Sequence, residues 1–311
     1  MTKLTRSPRL VPHLAKGALN SPRKRAPFDD ARLPSAPLTL EAAKVDPGRL
    51  SAYNATCRFP AGRGTLPPTY PHIMAFPLAM RLMAAADFPF PLLGLIHTGI
   101  TLTCPTPLPV TARPTLTVHT EDLQDHRKGS EFAVVTTAAL DGATVWHSRS
   151  TYLCKHPTPA RKPHSPDEAP QEERTPLPSH TTWELPAHLG RRYATASGDR
   201  NPIHLHPLTA RLFGFPHPIA HGMWTFARCL AELNTADDIT AAQATFKAPV
   251  PLPTAVTFAT GEPTPAALVP FTLRSDDARG GGSRTHLSGH VERASSADPA
   301  SGSPAPPSRS S

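Results

Sequence analysis

Asp199, Asn201 and His204 stand within six residues of one another, and Gly222 opens an apolar run eighteen residues after the histidine. A carboxylate beside an imidazole is a general acid–base pair, because the acid orients the ring and the ring exchanges protons near neutral pH. A glycine at a helix start leaves backbone N–H groups uncovered at the positive end of the helix dipole, where a developing oxyanion can be held. Each residue alone has a plainer use: Asp after Gly is common in turns, and a lone histidine is more often a structural ring. Their joint spacing is what points to a reaction site.

Three short helices have to position these groups. Asn201 can cap a helix whose first residue is Pro202, since proline's fixed φ suits that place and its missing N–H is an orphan there anyway. That puts His204 in the first turn and Asp199 across a tight bend from it, after the Ser197-Gly198 pair. A second helix is signalled by Pro207 at its start and Gly214 past its end. A third begins near Ala220, with Met223, Phe226, Ala227 and Leu230 spaced to form one buried face.

In type and spacing, Asp199, Asn201, Pro202, His204, Ala210, Gly214, Phe215, Ile219, His221 and Gly222 resemble the hallmark of the MaoC-like hydratases. These are hot-dog-fold (R)-specific enoyl-CoA hydratases and 3-hydroxyacyl dehydratases. One departure is His206, where the family commonly has an Asp capping the next helix. The resemblance implies a reversible syn addition of water to a trans-2-enoyl thioester, carried by coenzyme A or an acyl carrier protein, to give a (3R)-hydroxyacyl thioester. By position, Asp199 and His204 would hold the water and pass its proton to C2, Asn201 would help fix the water, and the Gly222 N–H would hold the thioester oxygen. Ser197, His221 and Met223 would border the substrate, with His221 bracing the helix start. No cofactor is expected, since the thioester already acidifies C2, and no metal.

Composition sets the limits. The 311 residues suffice for two ordinary domains, and forty prolines exclude an all-helical chain. The net charge of +8 raises nucleic acid as a partner, but residues 1–28 carry seven basic side chains and no acid, which leaves +1 for the rest. A solvated basic tail is the expectation, and nucleic acid is not an expected partner. No apolar run reaches membrane-spanning length and no secretory h-region is present, so neither a membrane nor export is expected. Cys57, Cys104, Cys154 and Cys229 show no Cys-x-x-Cys pairing and read as reduced core residues of a cytoplasmic protein.

The pattern predicts an α+β chain, a double hot-dog in which each half wraps an antiparallel sheet around a central helix. The expected organisation is a basic disordered tail (1–35), a non-catalytic half (36–155), a proline-rich linker (156–180), a catalytic half (181–293) and a disordered end (294–311). In the first half we expect strands at 36–44, 96–103, 115–122, 131–140 and 144–155, helices at 46–57 and 76–86, and an Asp141-Gly142 hairpin. In the second, strands at 181–185, 239–247, 255–260, 269–274 and 285–293 surround the site. Cys104-Pro-Thr-Pro-Leu-Pro-Val aligns with Ala248-Pro-Val-Pro-Leu-Pro-Thr at an offset of 144, which sets Pro77 opposite His221 and Leu78 opposite Gly222. Such a chain can close as a monomer or pair as a homodimer.

Rival chemistries are weaker. His204, His206, His217 and His221 could suggest zinc, but Pro216 and Pro218 break the helical spacing of the last two and no Glu lies between them. Gly280-Gly281-Gly282 lacks a following Lys-Ser/Thr and reads as a hairpin tip. There is no Gly-x-Ser-x-Gly elbow, which disfavours covalent catalysis. Within the same fold, a thioesterase and a non-catalytic acyl-thioester binder are the alternatives.

Overall fold

Asp141 (φ +49) and Gly142 (φ +83) form the two-residue turn expected between β5 (Gly129–Leu140) and β6 (Ala143–Lys155), both in the left-handed region such a hairpin requires. The computed structural model describes residues 30–157, 177–233, 238–276 and 282–294, together with 2–8, 10, 12, 17, 21, 24 and 28. Ahead of this hairpin lie β1 (Thr2–Leu4), β2 (Leu38–Leu40), α1 (Pro47–Cys57), α2 (Tyr70–Met83), β3 (Leu95–Thr103) and β4 (Thr115–His126). The second half contains β7 (Ser179–Leu185), α3 (Leu189–Ser197), a 3-10 turn (Pro202–His204), α4 (Pro207–Leu212), α5 (Gly222–Glu232), β8 (Ile239–Phe246), β9 (Thr254–Thr260), β10 (Leu268–Asp276) and β11 (Ser283–Arg293).

The eleven strands among the described residues form one sheet in the order β1-β2-β4-β5-β6-β3-β8-β11-β10-β9-β7. From β3 outward the two sides correspond strand for strand, since β6, β5, β4 and β2 match β11, β10, β9 and β7. The halves meet where β3 and β8 pair antiparallel, from Gly99 opposite Thr245 to Thr103 opposite Ala241. This is the double hot-dog. α2 packs on β2, β4 and β5, and α5 packs on β10. One continuous core carries the side chains of both halves, among them Tyr53, Phe88, Phe132, Trp146, Phe226 and Phe258.

α2 corrects two expectations. It starts at Tyr70 rather than Phe76, and Pro77 lies inside it. Twelve of its fourteen residues are buried, and that burial outweighs the one backbone bond proline removes. The 144-residue offset holds for the starts of β3 and β8, Leu95 and Ile239, but the helix starts, Tyr70 and Gly222, lie 152 apart. Leu78 is therefore mid-helix and is not the counterpart of Gly222. The matching bridges, Thr65 to Pro109 and Ile219 to Pro251, show that the loops before the two helices differ in length.

The N-terminal stretch also departs from a disordered tail. Thr2–Leu4 pairs in parallel with Leu38–Leu40, Lys3 forms an ion pair with Glu41 at 2.7 Å, and Phe28 packs edge-on against Phe90 and His156. Most of the expected linker (158–176), the end of the chain (295–311) and the tip before Gly282 (277–281) lie outside the described residues. The strands flanking that tip pair antiparallel. Cys57, Cys104, Cys154 and Cys229 are all buried free thiols, and burial raises the pKa of each. Among the described residues no helix is long and apolar enough to cross a membrane.

Candidate active site

The bend between α3 and α4 is built from side chains that each accept the N–H two residues ahead. Ser197 Oγ accepts from Asp199 N (3.1 Å), Asp199 Oδ1 from Asn201 N (3.1 Å), Asn201 Oδ1 from Ile203 N (3.4 Å) and His206 Nδ1 from Leu208 N (3.2 Å). Such local bonds hold the chain out of helix and turn it tightly. Gly198 begins the turn at φ +82, closing α3 with a bond to Ala194 O. His206 thus supplies the cap of α4 that an Asp would otherwise provide. Asn201 is the expected cap of the 3-10 turn, and Pro202 follows it.

His204 is 8% exposed, and its Nδ1 lies 2.7 Å from the carbonyl oxygen of Ile219. A carbonyl only accepts, so Nδ1 carries the proton and Nε2 keeps its lone pair. Ile219 is held in turn from both sides. Its N–H donates to Ile203 O, and the residues around it bond to Val250 and Leu252. His221, 2% exposed, donates from Nε2 to the backbone carbonyl of Asp199 at 3.0 Å, and its ring lies on that of His204 with centroids 3.7 Å apart. His221 therefore braces the Asp199 bend. One side-chain ligand atom from each of Asp199, His204 and His221 lies within 4.8 Å of the other two.

Asp199 is the more open member, with 28% of its side chain exposed. Burial raises its pKa, opposed by His204 and by the Asn201 N–H. Burial lowers that of His204, opposed by the Asp199 charge and the Ile219 carbonyl. The two affinities for a proton are thereby drawn together, which suits a pair that passes one proton through a shared water. His206 and His217 are exposed and stand outside this group. His204 Nδ1 and His221 Nε2 are each committed to a backbone carbonyl, at 2.7 and 3.0 Å.

Gly222 is the first residue of α5, with no side-chain cap bond at the His221 N-cap and no acceptor for the Gly222 N–H among the described residues. A Cβ there would stand 3.1 Å from the ring of Phe246. Met223 is buried in the core at 8% exposure. Ser197 is 1% exposed, with its hydroxyl engaged by Asp199 N, so it supports the bend from behind.

Several neighbours were not expected from the sequence. Arg49 of α1 donates from Nε to Ala196 O at 2.8 Å and from Nη2 to Ser197 O, tying the first half to the end of α3. A cavity of about 440 Å³ opens beside Arg49, lined by Arg6, Glu41, Lys44 and Tyr70, but it does not include Asp199 or His204. Tyr193 packs its ring 4.8 Å from His221. From the first half, Tyr152 feels the Asp199 charge and stacks on His97, which lies 4.9 Å from Phe246. Tyr193 lies on α3 with the periodicity of a buried face, a signal that could have found it. The others depend on contact between the halves.

Fold and site together define a double hot-dog protein with a carboxylate–imidazole group, Asp199, His204 and His221, whose last member is the N-cap of α5. The MaoC-like domain model matches residues 166–262. The 3-hydroxyacyl-thioester dehydratase X of Mycobacterium tuberculosis is 37% identical over 204 residues, 65% of this chain and 71% of that protein. The enoyl-CoA hydratase ChsH3 of the same organism is 31% identical over 138 residues, covering 42% of this chain and 46% of its own length. The crystal structure of M. tuberculosis HtdX superposes with a TM-score of 0.69 at 32% identity, covering 83% of this chain and all of that one. The chain belongs to the MaoC-like dehydratase family.

Proposed function

We propose that this protein is a hydro-lyase that adds water reversibly to trans-2-enoyl thioesters, giving (3R)-hydroxyacyl thioesters, and removes it in reverse. The observation that carries this reading is the approach of the Asp199 carboxylate to His204, within 4.8 Å, on the stretch of chain that leads into the uncapped Gly222 N–H at the start of α5. Asp199 and His204 Nε2 hold one water. Its oxygen bonds to C3 while the C2=C3 electrons move toward the thioester carbonyl, whose oxygen accepts from Gly222 N–H. The proton the water gives up then returns to C2 through the pair, and charge and atoms balance within substrate and water. The Gly222 donor is worth about 3 kcal/mol of transition-state stabilisation by analogy with single oxyanion donors.

Asn201 and Ser197 serve this chemistry by shaping the bend, and His221 by fixing the Asp199 backbone. The first half is assigned a supporting role, because no Asp or Glu occurs from Pro47 to Ala86 ahead of or within its helix. The buried free thiols support a reducing compartment such as the cytoplasm. The test incubates the protein with crotonyl-CoA and follows enoyl absorbance together with free thiol. Loss of absorbance without thiol release is expected, and Asp199→Asn and His204→Ala should each lower kcat about 10²- to 10⁴-fold while remaining folded. Thiol release would instead mark a thioesterase, and no change in either signal a passive binder.

A further inference from the structure

Among the described residues four large apolar side chains are exposed, and three of them belong to α4 and the residue that ends it: Leu208 at 64%, Leu212 at 82% and Phe213 at 36%. Isolated exposed leucines need no explanation, but adjacent ones at i and i+4 on one short helix form a patch. Along this stretch of the chain the charge is nearly of one sign. Arg191, Arg200 and Arg211 are exposed, and from Pro186 to Ala231 the sole acidic residue is Asp199, within the reaction site. The patch is fastened to the catalytic bend, since Thr209 Oγ1 on α4 donates to Pro202 O at 2.7 Å and Arg191 Nη1 to Leu205 O at 3.2 Å.

We propose that α4 is the docking surface for an acidic acyl carrier protein, which presents the enoyl chain on its thioester arm to Asp199 and His204. This rests on the hydration reading above and names its substrate carrier. Coenzyme A and a carrier protein bring the same thioester arm to the reacting atoms. They differ in what remains outside. A nucleotide has phosphates for the arginines but no aliphatic face to cover Leu208 and Leu212, whereas an acidic protein with an apolar helix face satisfies both. Apolar contact at the centre with complementary charge at the rim is the ordinary anatomy of a protein interface.

The experiment compares crotonyl-CoA with the crotonyl thioester of a purified bacterial acyl carrier protein, using the full chain, the L208S/L212S double variant and R211E. For the carrier-protein substrate, KM is expected to rise about tenfold or more in each variant, and to rise with salt in the wild type. For crotonyl-CoA it should change less than about twofold in L208S/L212S, whose altered side chains have no counterpart on a nucleotide. Equal changes with both substrates, no change with either, or turnover of crotonyl-CoA alone would overturn the docking assignment. A wild-type dimer that dissociates in L208S/L212S during sedimentation would also overturn it, by making the patch a contact between two copies of this chain. If wild type hydrates neither substrate, the hydration reading itself falls.

Discussion

Asp199 is held where its charge is disfavoured. Burial raises its pKa above the unfolded value of about 3.9. Protonation therefore favours the fold below that value, and the ionised form costs stability once pH passes the raised pKa. Asp199→Asn keeps an oxygen to accept the Asn201 N–H but carries no charge. We expect its Tm at pH 7 to exceed wild type by about 3 °C, the gain expected for roughly 1 kcal/mol in a chain of this size. The difference should shrink as pH falls below about 4. Calorimetry at pH 7 and pH 3.5 checks this, and an equal or lower Tm for the variant at pH 7 would show the carboxylate is not under strain. At this scale the sequence was most informative, because Asp199, Asn201 and His204 are linked by bonds that span two or three residues. The job of His206 was legible only as a departure from pattern, until its Nδ1 proved to cap α4.

Among the helices around the site, α3 was the one the sequence did not announce. Gly190 weakens its helix propensity, and no side-chain cap marks its start. Yet Leu189, Tyr193 and Ala196 have helical spacing and are all buried. Gly190 is required by close approach: a Cβ there would stand 2.0 Å from the backbone oxygen of His204. α3 and the Pro202–His204 turn are in backbone contact, so one must move if the glycine is replaced. We expect Gly190→Ala to displace His204 by on the order of 1 Å and lower kcat about 10²-fold, with far-ultraviolet circular dichroism unchanged. Wild-type turnover in that variant would mean the contact does not position the ring.

Across the whole molecule, the two halves share buried histidines and backbone contacts. Trp224 of α5 donates to Thr56 O in α1, and Arg49 grips the end of α3. His72 and His97 are pushed by burial from 6.5 down to about 4 and about 3. A lowered histidine pKa means the unfolded chain binds the extra protons, so stability is lost as pH falls through about 6.5 and continues to fall toward the folded values. Together these two should remove on the order of 3 kcal/mol by pH 5. Urea midpoints measured from pH 7 to pH 5 should fall accordingly, and His97→Phe should flatten the slope. An unchanged slope would remove His97 from the account.

The sequence by itself determined the bend that carries Asp199 and His204, the helices α4 and α5 that follow it, and the strands of each half other than β1. Those features rest on local bonds, turn residues and two-residue or helical periodicity, all of which act over a few positions. Only the tertiary structure decided the start of α2, the pairing of Thr2–Leu4 and the meeting of Arg49, Tyr152 and Phe246 at the site. These depend on burial and on contacts between residues up to about 150 positions apart, and single-residue preferences such as proline's give way to that packing energy.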